Sequence, residues 1–282
     1  MMTRMPTISR RAMLGLGCRA GLVTAAGATA VSALTKAVAT AAPPAVAPTY
    51  ATGSFASAAR GGAPTNWIIA RPPGQSAPLR PVILLHGKDS SAATVMSMGA
   101  EQFLADAVAA GVPPFALAAV DGGNGYWHRR ASGDDAGAMV LDEFLPLLAG
   151  QGLDTSRVGF LGWSMGGYGA LLLGARLGAP RTAAICAVSP ALWTSSGAAA
   201  PGAFDGAADY EANSVWGLAG LTGIPLRIDI GNDDPFAAAT RQFIAQLPAP
   251  PAGGFSPGGH DAAFWSSQLS SELTWMAPLL TA

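Results

Sequence analysis

The sequence has little charge, few histidines and almost no cysteine. Only 12% of its 282 residues are charged, and 16 basic residues nearly balance 17 acidic ones, for a formal net charge of -1. No basic block is present, so nucleic acid is not an expected partner. Half of the residues are hydrophobic, which argues against disorder and is enough for one large domain with a substantial core.

The two cysteines are Cys18 and Cys186. Cys18 lies in an N-terminal segment that we expect to be removed, which leaves no partner for an internal disulfide. No cluster of cysteines suits zinc, so the sequence predicts neither a metal nor a cofactor. Cys186 lies in an apolar run, residues 183–188, and is predicted to be a small core residue.

Residues 1–47 differ in character from the rest of the chain. Arg10 and Arg11 form an arginine pair, a weakly apolar stretch follows at about residues 20–34, and residues 45–47 read Ala-Val-Ala. This pattern resembles a twin-arginine export signal with a small-residue cleavage site. We therefore predict that residues 1–47 are removed, that residues 48–282 form a single catalytic domain, and that the protein is secreted, periplasmic or attached to the cell wall.

A retained membrane anchor is the alternative for this segment. A spanning helix needs about 20 consecutive apolar residues. Arg19 separates residues 12–18 from the apolar stretch at about residues 20–34, so the uninterrupted apolar run is too short. Export followed by cleavage therefore fits the residues better, and the mature protein is expected to have no stable membrane span.

From about residue 65, strand-like apolar runs alternate with helical patterns. This alternation predicts an α/β fold in which helices cover both faces of a mostly parallel sheet. Predicted strands are residues 68–70, 81–85, 115–120, 157–162, 183–188 and 225–230. Predicted helices are residues 93–110, 138–148, 165 onwards, 236–247 and 262–280. Residues 191–222 have no clear pattern and are too few for a long lid domain.

The strongest local motif surrounds Ser164. Residues 162–166 read Gly-Trp-Ser-Met-Gly, which matches the G-x-S-x-G nucleophile elbow. An apolar strand precedes it and a helical pattern follows it, as the elbow requires. In a chain with 36 glycines the spacing alone arises easily by chance. With this strand and helix around it, Ser164 is predicted to be a nucleophile.

The base and the acid follow from the order of the chain. In this fold the nucleophile precedes the acid, and the acid precedes the histidine. Of the three histidines, only His260 follows Ser164. Asp233 and Asp234 both follow a predicted late strand; the spacing from Gly231 favours Asp234, and Asp233 stays open as the alternative.

Two backbone amides are expected to stabilise an oxyanion. One belongs to Met165, directly after the nucleophile, and the other to Lys88, in the loop after the predicted strand at residues 81–85. His86 is then a strand-end residue that shapes this loop. Candidate substrate-binding side chains are Trp127, Arg129, Trp163 and Trp265, and Trp193 is a further candidate wall. A solvated loop with aromatic packing is the alternative for Trp127 and Arg129, and core packing is the alternative for Trp193 and Trp265.

Residues 162–169, Gly-Trp-Ser-Met-Gly-Gly-Tyr-Gly, resemble the putative-esterase family of α/β hydrolases. Residues 231–236, Gly-Asn-Asp-Asp-Pro-Phe, resemble that family's acid loop, and residues 259–265 resemble its histidine loop. The family includes esterase D-like S-formylglutathione hydrolases, feruloyl and acetyl esterases, and secreted mycolyltransferases. The resemblance covers roughly residues 65–280 and implies the α/β-hydrolase fold, with Asp234 as the acid.

Together these features predict a secreted serine hydrolase that cleaves carboxylic esters of small molecules, lipids or carbohydrates. An acyltransferase with the same triad is the first alternative, because an alcohol can intercept the acyl-enzyme. A catalytically silent cell-wall-binding protein on the same scaffold is the second. The oligomeric state and the acyl group are not evident from the sequence.

Overall fold

Strands and helices alternate along the chain in the computed structural model, which describes residues 49–75 and 77–281. Within these residues eight strands form one sheet in the order β1-β2-β4-β3-β5-β6-β7-β8. The first two strands are antiparallel to their neighbours, and all other neighbours are parallel. The strands are β1 (Thr49–Ser57), β2 (Ala63–Arg71), β3 (Pro81–Leu85), β4 (Ala116–Val120), β5 (Val158–Trp163), β6 (Thr182–Val188), β7 (Leu226–Gly231) and β8 (Ala252–Ser256).

Helices pack on both faces of this sheet. They are α1 (Ala92–Val95), α2 (Glu101–Ala109), α3 (Ala136–Ala138), α4 (Leu145–Gly150), α5 (Met165–Leu177), α6 (Ala207–Ala212), α7 (Ala237–Gln246) and α8 (Ala262–Thr281). One core cluster combines residues of α4, α5 and α7 with one face of the sheet. The other combines residues of α1, α2 and α8 with the opposite face.

The inner strands are apolar because both of their faces are covered. Every residue of β3, β4, β5 and β6 is buried, which is typical of parallel sheets between two helix layers. Cys186, within β6, is fully buried, as predicted. Because β3 to β8 are parallel, the loops that follow these strands meet at one edge of the sheet, where ligands bind in open α/β folds.

The predicted α/β-hydrolase fold, with its mostly parallel sheet and no large lid, is confirmed. Residues 189–225, between β6 and β7, hold only α6 and two short 3-10 turns, Ser196–Ala198 and Ala219–Leu221. Strand β1 was not predicted, because its side chains alternate between exposed and partly buried and form no apolar run.

Two helices that the sequence predicts as continuous are interrupted. The π-helical turns Met96–Ala100 and Met139–Phe144 separate α1 from α2 and α3 from α4. Gly99 has a φ of 92° within the first of these turns, which explains a break there. Apolar spacing shows which face of a helix is buried, but it does not reveal a local change of helical pitch.

The predicted export signal and its anchor alternative lie outside the described residues. Among residues 49–75 and 77–281, no helix combines the length and the apolar character needed to cross a bilayer. The described residues belong to one compact unit.

Candidate active site

Ser164 lies in the turn between β5 and α5, with φ 57° and ψ −116°. This conformation is strained for a residue other than glycine. A Cβ on Gly162 would lie 2.2 Å from the carbonyl oxygen of Gly166, and a Cβ on Gly166 would lie 1.8 Å from that of Leu85. Neither position can hold a side chain, so the motif spacing is a packing requirement of this turn.

The turn around Ser164 is anchored on both sides. Its amide donates to the carbonyl of Val188 at 3.0 Å, which ties the turn to the end of β6. Its carbonyl accepts from the amides of Tyr168 and Ala191, each at 3.0 Å. These bonds hold the serine at the carboxyl edge of the sheet, with the positive end of the α5 dipole beside it.

His260 lies between β8 and α8 and reaches Ser164 from a distant part of the chain. Its Nε2 is 2.9 Å from the Ser164 Oγ, and its Nδ1 is 2.8 Å from the Asp234 Oδ2. With a proton on Nδ1, the ring donates to the carboxylate, and Nε2 can accept the serine proton. The three predicted triad residues therefore form one continuous line of hydrogen bonds.

The structure brings Asp234, and not Asp233, to the histidine. The Asp234 side chain is fully buried, whereas Asp233 is exposed and its amide donates to the Gly258 carbonyl at 3.0 Å. The Asp234 Oδ1 accepts from the Phe236 amide at 2.8 Å, which leaves Oδ2 for His260. This geometry favours Asp234 over Asp233, the alternative that the sequence left open.

Asp234 keeps its charge despite being buried. Burial alone would raise its pKa, but the hydrogen bonds from His260 and from the Phe236 amide outweigh that effect and lower the pKa. A carboxylate at this position fixes the imidazole tautomer and stabilises an imidazolium.

The two residues predicted to supply the oxyanion donors both lie near Ser164. Met165 is the first residue of α5, and the amides of a first helical turn have no partner within the helix. Lys88 borders the cavity at Ser164. A Cβ on the preceding Gly87 would lie 3.6 Å from the Ser164 Cβ, so this loop packs against the nucleophile. The amide roles of Met165 and Lys88 stay predictions.

His86 supports the loop that contains Lys88. It is fully buried, its Nε2 accepts from the Gly122 amide at 2.9 Å, and its Nδ1 lies 2.7 Å from the Gly87 carbonyl. Burial lowers its pKa, which keeps the ring neutral. Because both ring nitrogens are engaged, His86 joins the loops after β3 and β4 and has no free nitrogen for proton transfer.

A small cavity of about 240 Å³ opens beside the nucleophile. Its polar lining includes Ser164 and His260. Its apolar walls are Val95, Met98, Trp163 and Trp265. Trp163 and Trp265 thus border the cavity, as expected for substrate contacts. Val95 and Met98 were predicted only as the apolar side of a helix, because their spacing did not distinguish a pocket wall from core.

Trp127 and Arg129 are not placed at this cavity. Trp127 is fully buried, and added Cβ atoms on Gly122 and Gly169 would each lie 2.4 Å from its indole ring. Its burial fits neither a substrate contact nor a solvated loop, and the ring belongs to the hydrophobic core. Arg129 is exposed, and its backbone pairs with that of Asp135.

A larger cavity of about 650 Å³ lies near the start of β7, and its lining contains none of the triad residues. The three predicted triad residues therefore do not border this larger cavity. Trp193, the further candidate wall, packs against Tyr126, Phe204 and Phe236. It does not border the cavity at Ser164.

No protein-family model and no curated protein matches this sequence. Solved structures do resemble the fold. A ferulic acid esterase matches with a TM-score of 0.71 and 20% identity, over 82% of this chain and 98% of that one. An S-formylglutathione hydrolase from Agrobacterium tumefaciens matches with a TM-score of 0.69 and 18% identity, over 83% and 96%.

A third match is the feruloyl esterase module from Clostridium thermocellum, solved as an S954A mutant complexed with sinapinate. Its TM-score is 0.60 and its identity 13%, over 82% of this chain and 88% of that one. Feruloyl esterases and S-formylglutathione hydrolases are also classes of protein that the sequence motifs resemble. At such low identity they establish the fold that the chain shares with them.

Proposed function

We propose that the protein is a serine hydrolase that cleaves carboxylic esters through an acyl-enzyme on Ser164. The observation that carries this proposal is the line of hydrogen bonds from the Ser164 hydroxyl through His260 to Asp234. The esterases among the structural neighbours support an ester as the bond that is cleaved.

The reaction follows from the positions of these groups. The Ser164 Oγ attacks the ester carbonyl while His260 Nε2 takes the hydroxyl proton. The amides of Met165 and Lys88 stabilise the negative oxygen of the tetrahedral intermediate. His260 then returns the proton to the leaving alcohol, and the acyl group stays on the serine. Water, activated by His260, releases the acid and regenerates the hydroxyl.

The cavity indicates a small acyl or single-ring group. Its volume of about 240 Å³ is below the roughly 300 Å³ at which drug-sized pockets begin. Trp265 and Met98 offer apolar surface to such a group, and Ser164 lies in the same cavity. Short-chain and aryl carboxylic esters are therefore the proposed substrates.

The test is covalent labelling followed by turnover. A fluorophosphonate probe should label the wild-type protein and fail to label Ser164→Ala, while the exposed serine variant Ser270→Ala should label normally. A panel of aryl esters with increasing acyl length should show the highest kcat/KM at short lengths. Labelling that survives in Ser164→Ala would refute the nucleophile, and a probe-reactive protein without ester turnover would refute the substrate class.

Acyl transfer to an alcohol is the second candidate. The His260 side chain is 23% exposed, and no large lid covers the triad, so an alcohol can reach the acyl-enzyme as water does. Product analysis with excess glycerol or sugar distinguishes the two reactions. Ester products that exceed free acid would favour the transferase; free acid alone would favour the hydrolase.

Export of the protein is also proposed, on the strength of residues 9–47 alone. Replacing both Arg10 and Arg11 by lysine should retain the full-length chain in the cytoplasm, because the export route requires the arginine pair. Cell fractionation and N-terminal sequencing would test this, with cleavage expected after residue 47. Unchanged export of the double variant would exclude the twin-arginine route.

A further inference from the structure

His260 contacts two aromatic rings in addition to its two hydrogen-bond partners. The ring centroid of Phe236 lies 5.2 Å from that of His260 at an interplanar angle of 60°, and the ring of Trp265 lies 5.2 Å away at 89°. Both are edge-to-face contacts, the favoured arrangement of aromatic pairs. We propose that Phe236 and Trp265, named here the aromatic bracket, are positioning residues for the His260 imidazole; this inference rests on the proposed function.

The hydrogen bonds alone do not fix the orientation of the imidazole. The two hydrogen bonds are made by Nδ1 and Nε2. Rotation of the ring about the line that joins these nitrogens therefore changes the length of each bond only slightly. His260 also follows Gly258 and Gly259, residues without side chains that could restrict it. Ring contacts from two separate elements restrict this rotation, because a close-packed neighbour leaves the imidazole less room to tilt.

Phe236 connects the base to the acid. Its amide donates to the Asp234 Oδ1 at 2.8 Å, and its ring contacts His260. One residue therefore directs the carboxylate, which is left with Oδ2 for the histidine, and also limits the tilt of the imidazole. Any substitution except proline keeps the amide, so a side-chain variant tests the ring contact separately.

The Phe236 ring is supported from behind. It packs edge to face on Trp193 at 5.5 Å. The Trp193 carbonyl accepts from the Tyr210 hydroxyl at 2.6 Å and from the Trp216 indole at 2.8 Å. The segment between β6 and β7, whose sequence shows no clear pattern, thus acquires a role: it holds the residue that supports this side of the bracket.

Trp265 is held by the start of α8. The Asp261 Oδ1 accepts from the Phe264 amide at 2.9 Å, and the Asp261 carbonyl accepts from the Trp265 amide at 3.2 Å. This cap fixes the first turn of α8 directly after His260. Trp265 also borders the cavity, so a change there affects substrate binding as well, and Phe236 gives the cleaner test.

The bracket also matters for the charge that develops on the ring. When His260 takes the serine proton it becomes an imidazolium, and a ring that presents its face to the imidazole attracts this charge. The attraction is stronger in the transition state than in the ground state, so it acts on kcat more than on KM. Phe236→Leu should lower kcat about threefold to tenfold with little change in KM.

The experiment compares Phe236→Leu, Phe236→Tyr and Phe243→Leu for p-nitrophenyl acetate hydrolysis and fluorophosphonate labelling rate. Phe243, in α7, is a buried ring that packs on Trp216, and no ring contact joins it to His260 among the described residues, so it is the control for loss of an aromatic ring from the core. Phe236→Leu should slow both reactions, Phe236→Tyr should restore them, and Phe243→Leu should keep the wild-type kcat. Phe236→Met replaces the leucine variant if thermal melting shows that the latter is unfolded at the assay temperature.

Each other outcome contradicts the inference. A raised KM with unchanged kcat would make Phe236 a substrate contact. Failure of Phe236→Tyr to restore the rate, or equal losses in Phe243→Leu, would show a general packing effect. If the wild-type protein neither labels nor hydrolyses esters, the proposed function itself fails; if it does both and Phe236→Leu behaves identically, only the bracket fails.

Discussion

Asp229 lies inside β7 and Asp234 lies in the turn after it, yet the two carboxylates meet different surroundings. Asp234 accepts from His260 and from the Phe236 amide, and its pKa is lowered despite burial. Asp229 pairs with Arg227, but burial outweighs that pairing and raises its pKa. The number and orientation of the hydrogen-bond donors, and not burial alone, determine which carboxylate stays charged.

The contrast with Asp234 is larger still for Glu272, a residue of α8 that lies beside Asp229. Glu272 is fully buried, and as a carboxylate it would find no donor among the described residues for either side-chain oxygen. Burial raises the pKa of Glu272 well above its usual value and so favours a protonated carboxyl, which can donate to Asp229. The surroundings of Asp234, after the end of β7, thus favour a charged carboxylate. The surroundings of Asp229 and Glu272, at the middle of the strand, favour a proton shared between the two carboxyl groups.

A proton suits this second cluster better than a metal ion. One ligand atom from each of Cys186, Asp229 and Glu272 lies within 4.8 Å of the others. The Arg227 guanidinium already contacts both oxygens of Asp229. A second cation beside it would be repelled in this buried region, whereas a proton on Glu272 removes a negative charge and completes a hydrogen bond.

Removing the base should produce the largest effect on the catalytic side of this comparison. His260→Ala leaves Ser164 without a proton acceptor, so kcat for an aryl ester should fall by about four to six orders of magnitude. The melting temperature should change little, because the side chain is partly exposed. Steady-state kinetics with thermal melting checks both; a residual rate within tenfold of wild type would mean that another group acts as base.

Replacing single aspartates by asparagine should distinguish the carboxylate that orients His260 from those that do not. Asp234→Asn should lower kcat about 10⁴-fold, because the amide no longer fixes the tautomer of His260. Asp233→Asn should stay near the wild-type rate, since Asp233 is exposed. Asp229→Asn should lower the melting temperature while the folded protein keeps its kcat. A larger rate loss in Asp233→Asn would identify the other acid.

The pH dependence of stability should have opposite signs for Asp234, after the end of β7, and for Glu272, which packs beside the middle of that strand. The pKa of Asp234 is lowered in the folded state, so its contribution is present above about 3.8 and is lost as the pH falls. The pKa of Glu272 is raised, so its contribution is complete below 4.5 and is lost as the pH rises. Glu272→Gln should remove the second trend.

Urea unfolding of the wild-type protein and Glu272→Gln at pH 5 and pH 8 measures this difference. The glutamine amide can donate to Asp229 without ionising, so the variant should gain about 1–2 kcal/mol relative to wild type at pH 8. The gain at pH 5 should be smaller. Equal differences at the two pH values would show that Glu272 does not retain its proton in the folded state.

The smallest effect is expected at Cys186. Its thiol is fully buried, and burial raises its pKa well above the usual value, so it should not react with a thiol reagent while the protein is folded. In a Cys18→Ser background, modification should appear only with unfolding in urea. Cys186→Ala should cost about 1 kcal/mol. Rapid labelling of the folded protein would show that the core around Glu272 opens.

Chain order and local motifs were enough to select the residues that meet at the edge of the sheet. Ser164 follows from glycine spacing between a strand and a helix, and His260 is the only histidine after it. The choice of Asp234 over Asp233 needed the structure, because adjacent residues share the same sequence context. The inner strands were predicted well because burial on both faces produces uninterrupted apolar runs.

Other features had no local sequence signal. Trp127 occupies a loop near the catalytic edge, and only the close approach of Gly122 and Gly169 shows that its ring belongs to the core. Glu272 is an acidic residue in a helical pattern, where exposure is the usual expectation. Phe236 follows the acid in the motif, but its contact with His260 depends on a loop that is distant in the chain.

The serine hydroxyl and the imidazole that bind each other are 96 positions apart, and the imidazole and its carboxylate are 26 apart. A growing polypeptide that ends anywhere before the loop after β8 lacks the base, however well its earlier strands have paired. Reactivity toward a serine-directed probe should therefore be absent from ribosome-bound intermediates and should arise only once α8 has packed on the sheet. Such a probe would report when the final step of folding is complete.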